Sequence, residues 1–98
     1  MTWFVYILQC SDASYYTGHT SDLDFRLNYH NSGRGSVYTS KRSPCTLIYS
    51  EEHPTKESAV KREQQLKKWS RPKKQALIDG NISELKRYSK SFTHLINI

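Results

Sequence analysis

A dense apolar run lies near the start of the chain. Residues 3–10 read WFVYILQC, with β-branched and aromatic side chains on both faces of an extended segment, and residues 11–14 are polar. Residues 15–19 can pair back antiparallel across this turn, and residues 46–50 have the composition of a third strand. The pattern predicts a β-hairpin whose first strand is central in a sheet and covered on both faces.

Helical spacing begins after this hairpin. The first helix is predicted over residues 22–31. Either Ser21 or Asp22 is a suitable N-cap, and Ser32-Gly33 is the expected stop signal. The inward-facing stripe of this first predicted helix comprises Leu23, Leu27 and His30.

Two more helices are predicted nearer the C-terminus. One covers about residues 54–69, and the other starts after residues 70–72 and stops at Gly80. We expect a single α/β domain over residues 1–80. Residues 81–98 are predicted to be a helical extension or tail of the same domain.

Positive charge is concentrated in one segment. The chain has 15 Lys and Arg against 9 Asp and Glu, a formal charge of +6, and residues 56–74 alone hold eight basic and two acidic side chains. Such a patch attracts phosphate backbones, although a solvated helix face, an acidic membrane or an acidic protein would also account for it. The candidate phosphate contacts are Lys61, Arg62, Lys67, Lys68, Arg71, Lys73 and Lys74.

The cysteine spacing and the hydropathy of the chain indicate in which cellular compartment the protein is expected. Cys10 and Cys45 lie far apart and show neither CxxC nor Cys/His ligand spacing, so neither a zinc site nor a disulfide framework is indicated. A reducing cytoplasm is expected. The sequence shows no signal peptide and no apolar run of membrane-spanning length, so we expect no export and no membrane partner.

Glu63 falls inside the apolar stripe of the second predicted helix. At about 100° per residue, Ala59, Glu63 and Leu66 share one side, so the carboxylate should point inward. A buried carboxylate requires a cationic partner or a bound metal ion. The residues alone leave open a metal site, an ion pair with Arg26 or a nearby lysine, and an exposed stripe edge.

Tyr6 and Tyr16 lie in adjacent strands of the predicted hairpin. A core-facing tyrosine needs a partner for its hydroxyl, although packing alone would explain each residue taken singly. On the first helix, Arg26 lies one turn before His30. The sheet and its two covering helices thus offer a set of polar groups that comprises Tyr6, Tyr16, Arg26, His30, Tyr38 and Glu63.

The order of these residues resembles the GIY-YIG nuclease family, in particular its small stand-alone bacterial members, over roughly residues 3–78. The matching segments are Phe4-Val5-Tyr6, Tyr16-Thr17-Gly18, Arg26, His30-Asn31 and Lys61-Arg62-Glu63. The resemblance implies an α+β fold in which a three-stranded antiparallel sheet is flanked by helices, with a site on its concave face.

Some positions depart from the family pattern. Phe4 replaces the first glycine, and Val5 and Thr17 replace the two isoleucines, at positions that look structural. Phe25 stands where relatives often have a basic residue beside the arginine, which could weaken a phosphate contact. No additional DNA-binding domain is recognisable, so the choice of target stays open and a protein partner for targeting is one option.

The resemblance also implies chemical roles. Glu63 would bind one Mg²⁺ or Mn²⁺ ion, and Arg26 would hold the scissile phosphate with its planar fork of donors. Tyr6 or His30 would accept the proton of the attacking water, and a tyrosine in that role needs nearby positive charge, from Arg26 or the metal, to favour phenolate. The residues that would position water or contact phosphate at the rim are Tyr16 and Tyr38.

The implied function is metal-dependent hydrolysis of phosphodiester bonds in DNA by an endonuclease. Repair, recombination and defence against foreign DNA all use such domains. Two alternatives stay open: a non-catalytic nucleic-acid-binding module that keeps the fold, and a nuclease that is RNA-directed or partner-dependent. Salt-dependent binding is expected of all three, whereas metal-dependent turnover separates them.

Overall fold

The computed structural model describes residues 1–32 and 41–80. It confirms the predicted three-stranded antiparallel sheet and its central first strand, with the strand order β2-β1-β3. The strands are β1 (Trp3–Gln9), β2 (Tyr15–Thr20) and β3 (Thr46–His53). The third strand therefore continues three residues beyond the predicted 46–50 segment.

The chain forms two compact units, residues 1–67 and the residues from 68 onward. The first unit contains the sheet and two helices, α1 (Leu23–Asn31) and α2 (Lys56–Lys67). The α1 prediction is confirmed, and of its two candidate caps it is Asp22 that accepts a hydrogen bond from the Phe25 backbone N–H at 3.1 Å.

The pleat of β1 divides the core between the two faces of the sheet. Tyr6 and Leu8 point to one face, where the partly buried Leu23 and Leu27 of α1 pack against them. Val5 and Ile7, on the other face, are fully buried. Because α2 packs against all three strands and buries Ala59 and Leu66 completely, both faces of β1 are covered, as its composition predicts.

A side-chain amide fixes the connection between α1 and β3. Asn31, at the last position of α1, donates to the Cys45 carbonyl at 3.0 Å and accepts from the Cys45 N–H at 2.6 Å. Cys45 Sγ lies 3.5 Å from Cys10 Sγ, and both thiols are buried and free. The end of β1 and the start of β3 are thus held together beneath the C-terminus of α1.

The second unit is described as far as residue 80. Its helix α3 (Arg71–Ile78) is capped by Ser70 and followed by Gly80, whose φ of +70° suits a residue without Cβ. Trp69 lies with its ring 4.1 Å from Lys73 Nζ. Throughout residues 1–32 and 41–80, no helix has both the length and the apolar character that crossing a membrane demands.

Candidate active site

Tyr6 can occupy the site because residue 18 is a glycine. The two residues face each other across β1 and β2, and a Cβ on Gly18 would lie 2.6 Å from Tyr6 Cζ and closer still to the hydroxyl oxygen. Side chains do not approach each other that closely. The glycine of the second triplet therefore makes room for the tyrosine of the first.

The Tyr6 hydroxyl is hydrogen-bonded to Nε2 of His30 at 3.0 Å. Which of the two donates depends on the histidine tautomer. His30 is 2% exposed, and its ring meets the ring of Tyr16 edge-on, with centroids 5.0 Å apart. The hairpin and α1 thus join two tyrosines to one buried imidazole.

Burial keeps both members of this pair neutral. It raises the pKa of Tyr6, and the nearby Tyr16 and Glu63 raise it further, while Arg26 lowers it. Arg26 therefore acts in the expected direction but is outweighed, and the resting form is the phenol. Burial, with Arg26, also lowers the pKa of His30, so the imidazole is an uncharged proton acceptor at neutral pH.

Arg26 lies beside this pair and contains a buried donor without a partner among the described residues. Its Nε is buried and has no hydrogen-bond partner in the described part of the chain, and its guanidinium carbon lies 5.3 Å from the centre of the Tyr29 ring. A buried N–H without a partner is costly unless a ligand completes it. An anionic oxygen is the acceptor that a guanidinium binds most strongly.

Glu63 reaches the site from α2, with a side chain that is 14% exposed. One carboxylate oxygen lies 2.7 Å from His19 Nδ1, and the other lies 2.7 Å from Lys67 Nζ. Of the partners considered from the sequence, the lysine is present, and His19 is an additional one. The buried residues of α2 are Ala59, Arg62 and Leu66. Glu63 is only partly buried and therefore lies at the edge of the apolar stripe, not inside it.

These side chains surround one cleft of about 250 Å³. Five of the six predicted catalytic and metal-binding residues line it, and Tyr38 lies outside the described residues. The complete lining comprises Tyr6, Tyr16, Gly18, His19, Arg26, His30 and Glu63. A phenol, an imidazole, a guanidinium and a carboxylate therefore converge on a single polar space.

Comparison with protein-family models matches residues 2–76 to the GIY-YIG catalytic domain. The chain belongs to the GIY-YIG family. Membership implies a nuclease fold that binds nucleic acid, in a family that generally uses divalent metal ions. Two similar relatives are the UPF0213 proteins of Staphylococcus aureus strains Mu3 and Mu50, each 48% identical over 75 residues that cover 76% of this chain and 92% of the relative.

Two structures determined by solution NMR are similar to this chain. The UPF0213 protein of Bacillus halodurans is 39% identical with a TM-score of 0.53, covering 93% of this chain and all of the other. A protein from Enterococcus faecalis is 34% identical with a TM-score of 0.57, covering 82% of this chain and 85% of the other. The fold predicted from the resemblance is therefore confirmed.

The donor set suits a hard divalent cation held by few protein ligands. Within residues 1–32 and 41–80 there is no group of three or more His, Cys, Asp or Glu side chains arranged to hold a metal. A Mg²⁺ site needs only one or two carboxylates, because water and phosphate oxygens complete the coordination. Glu63 fits that role, since its partner Lys67 is 53% exposed and a solvent-screened ion pair is readily exchanged.

The predicted basic patch has both exposed and buried members. Lys61 and Lys67 are exposed on α2, whereas Arg62 is buried and forms an ion pair with Glu51, its Nε lying 3.0 Å from Oε2. In the second unit, Lys73 is buried beside Trp69. The exposed members of the patch are Lys61, Lys67, Lys68 and Arg71.

Two residues of this region, His19 and Asn31, have a role in the structure that the sequence does not predict. His19 contacts Glu63, but its position is defined only by the β1–β2 register and by the placement of α2 above it. Asn31 is part of the quoted motif, and the structure gives it a tethering role at Cys45. The tethering role of Asn31 could have been suspected from its place at the end of a helix and next to His30. No feature of the sequence indicates the contact between His19 and Glu63.

Proposed function

We propose that the protein is a metal-dependent endonuclease that hydrolyses phosphodiester bonds in DNA at this cleft. The observation that carries the proposal is that one polar cleft is lined by Arg26, the Tyr6–His30 pair and Glu63, and that the buried Nε of Arg26 has no partner among residues 1–32 and 41–80. Binding an anion and moving a proton are the two tasks of phosphodiester hydrolysis, and this set can perform both.

Arg26 holds the scissile phosphate. Its orphaned donor would gain a phosphate oxygen as acceptor, and the low exposure of the site strengthens that hydrogen bond. Tyr38 stays a predicted phosphate contact at the rim. The exposed lysines of α2, Lys61 and Lys67, hold the flanking backbone without reading its sequence.

Glu63 would hold the metal ion, Mg²⁺ or Mn²⁺, in place of its ion pair with Lys67. When bound, the ion supplies positive charge that stabilises the charge developing on the phosphate and on the leaving oxygen. His19 keeps the carboxylate oriented through its contact at 2.7 Å. Holding a ligand carboxylate from a second side limits its rotamers and keeps it directed at the cleft.

Proton transfer runs from the attacking water through Tyr6 to His30. Because the resting Tyr6 is a phenol and His30 is neutral, Tyr6 accepts the water proton as it gives its own proton to Nε2. No phenolate has to exist beforehand. Both candidate general bases take part in this relay: Tyr6 contacts the attacking water, and His30 is the final proton acceptor.

One observation favours a second candidate, a nucleic-acid-binding module without catalysis. One oxygen of Glu63 contacts His19 Nδ1 and the other contacts Lys67 Nζ, so the carboxylate has structural partners without any metal. On that view Glu63 would not exchange its partners, and the cleft would bind phosphate only.

The deciding experiment is cleavage of labelled single-stranded, duplex, flap and branched DNA, with an RNA control, in Mg²⁺, Mn²⁺ or EDTA. Wild type is compared with Tyr6→Phe and with Tyr49→Phe, which removes a partly buried hydroxyl that donates to Glu51 and lies outside the cleft. Cutting that needs metal, is lost in Tyr6→Phe and persists in Tyr49→Phe supports the nuclease. Binding without cutting in any metal supports the module or a missing partner.

The cellular location follows from the same chemistry. Two buried thiols 3.5 Å apart that remain free fit a reducing compartment, so we infer that the protein works in the cytoplasm.

A further inference from the structure

Phe25 is mostly exposed, at 61%, and no other aromatic side chain in the described residues is as accessible. A single apolar side chain on a surface is ordinary. What distinguishes Phe25 is the arrangement beneath it, because its ring lies nearly parallel to that of Tyr29, at 22° and with centroids 6.1 Å apart. The two residues are one helical turn apart on α1 and form a short ring stack.

This stack connects directly to the cleft. The guanidinium carbon of Arg26 lies 5.3 Å from the centre of the Tyr29 ring, and this arginine lines the cleft. A continuous row therefore runs from the solvent-facing Phe25 through Tyr29 to the group that holds phosphate.

The charges nearby favour an uncharged planar ligand on Phe25. Asp22 and Asp24 are both exposed at this end of α1, so a phosphate placed there would be repelled. A nucleobase is flat, uncharged and presents a π-face whatever its identity. The strand's phosphate would then lie at Arg26 while its base lies over the ring.

We propose that Phe25 and Tyr29 form a stacking platform for an unpaired base of the DNA strand whose phosphate is held by Arg26. The inference rests on the proposed function and makes it more specific. In a duplex both faces of each internal base are already covered by its neighbours, so the platform binds only bases that are unpaired. The enzyme therefore selects single-stranded segments or the junctions of branched DNA.

The test is binding of labelled oligothymidylate, an abasic strand of the same length and a blunt duplex, by fluorescence polarisation in EDTA. Phe25→Ala weakens binding of the base-bearing strand about tenfold, which lies within the range for loss of one base–aromatic stack. Binding of the abasic strand and of the duplex does not change. Phe25→Trp keeps the wild-type affinity, whereas Phe25→Leu, apolar without a flat face, behaves as the alanine variant does.

Several results would overturn the platform. An equal loss on all three DNA ligands, no loss on any, or wild-type binding by Phe25→Leu contradicts stacking. Tighter binding of oligouridylate than of oligothymidylate contradicts the assignment to DNA. Since Phe25 is exposed, its variants should keep the wild-type urea midpoint. A lowered midpoint would reveal a folding defect and distinguish it from a loss of stacking.

Binding in EDTA requires no catalysis, so the two proposals fail separately. Dependence on Phe25 without cleavage in any metal refutes a nuclease that acts without a partner and keeps the platform. Metal-dependent cleavage that proceeds equally on duplex and single strand, unchanged in Phe25→Ala, keeps the nuclease and refutes the platform.

Discussion

Gly18→Ala tests whether the absence of a side chain at residue 18 is what allows the Tyr6 ring to occupy the site. The added methyl carbon would lie 2.6 Å from Tyr6 Cζ, so the ring must move by several tenths of an ångström or more. Overpacking of this kind costs about 1–3 kcal/mol of unfolding free energy. The movement also breaks the 3.0 Å hydrogen bond to His30, and misplacing a reacting group by about 1 Å lowers the rate roughly 100-fold.

The assay combines urea denaturation with metal-dependent DNA cleavage. Gly80→Ala is the matched control, because it has a strained positive φ of +70° but nothing within 4 Å of the added carbon, so it should lose stability without losing activity per folded molecule. In a Tyr6→Leu background the cost of Gly18→Ala should largely disappear, since the ring is gone. An equal cost in both backgrounds, or wild-type cleavage by Gly18→Ala, refutes the steric argument.

Three further predictions concern other groups. Burial and the adjacent Cys10 thiol raise the pKa of Cys45 to about 11, so at pH 8 an aromatic disulfide reagent should modify it slowly in the native protein and rapidly in urea; fast native modification would contradict this. Burial alone would raise the pKa of Glu51, but its hydrogen bonds with Tyr49 and His53 and the charge of Arg62 hold that pKa below its ordinary value. The stabilisation from Glu51 is therefore present above the ordinary carboxyl pKa and is lost as pH falls through the lowered one. Urea midpoints should drop on acidification less steeply in Glu51→Gln, and identical slopes would argue against the assignment. Arg26→Lys should lose about 100-fold or more in cleavage at unchanged stability, because one ammonium cannot replace the planar donors; full activity would exclude a phosphate-holding role.

The elements were predictable because local chemistry specifies them. The apolar segment 3–10 has side chains suited to burial on both faces, and β1 is central and doubly covered. Asp22 is a suitable cap by residue type, and it caps α1. For the site, the helical spacing indicated an inward Glu63, and the i, i+4 relation indicated that Arg26 and His30 lie together.

The remaining features depend on tertiary register. The sequence placed Glu63 within the stripe of α2, but Arg62 lies deeper because β3 supplies Glu51 as its partner, a contact that no local pattern reveals. His19 meets Glu63 only once α2 lies across the sheet. The near-parallel arrangement of the Phe25 and Tyr29 rings likewise depends on side-chain rotamers. The sequence therefore shows that Phe25 replaces a basic residue that relatives often have, but it does not predict a stacking platform.

The most direct test of the catalytic site is metal-dependent cleavage of a labelled DNA strand by Glu63→Gln beside Glu57→Gln. Both variants remove one carboxylate charge from α2, but the Glu57 side chain is 81% exposed and lies outside the cleft. We predict that Glu63→Gln abolishes cutting in Mg²⁺ and Mn²⁺ while retaining DNA binding, and that Glu57→Gln cuts as wild type does. Wild-type cutting by a folded Glu63→Gln protein would contradict the assignment of this cleft as a metal-dependent nuclease site.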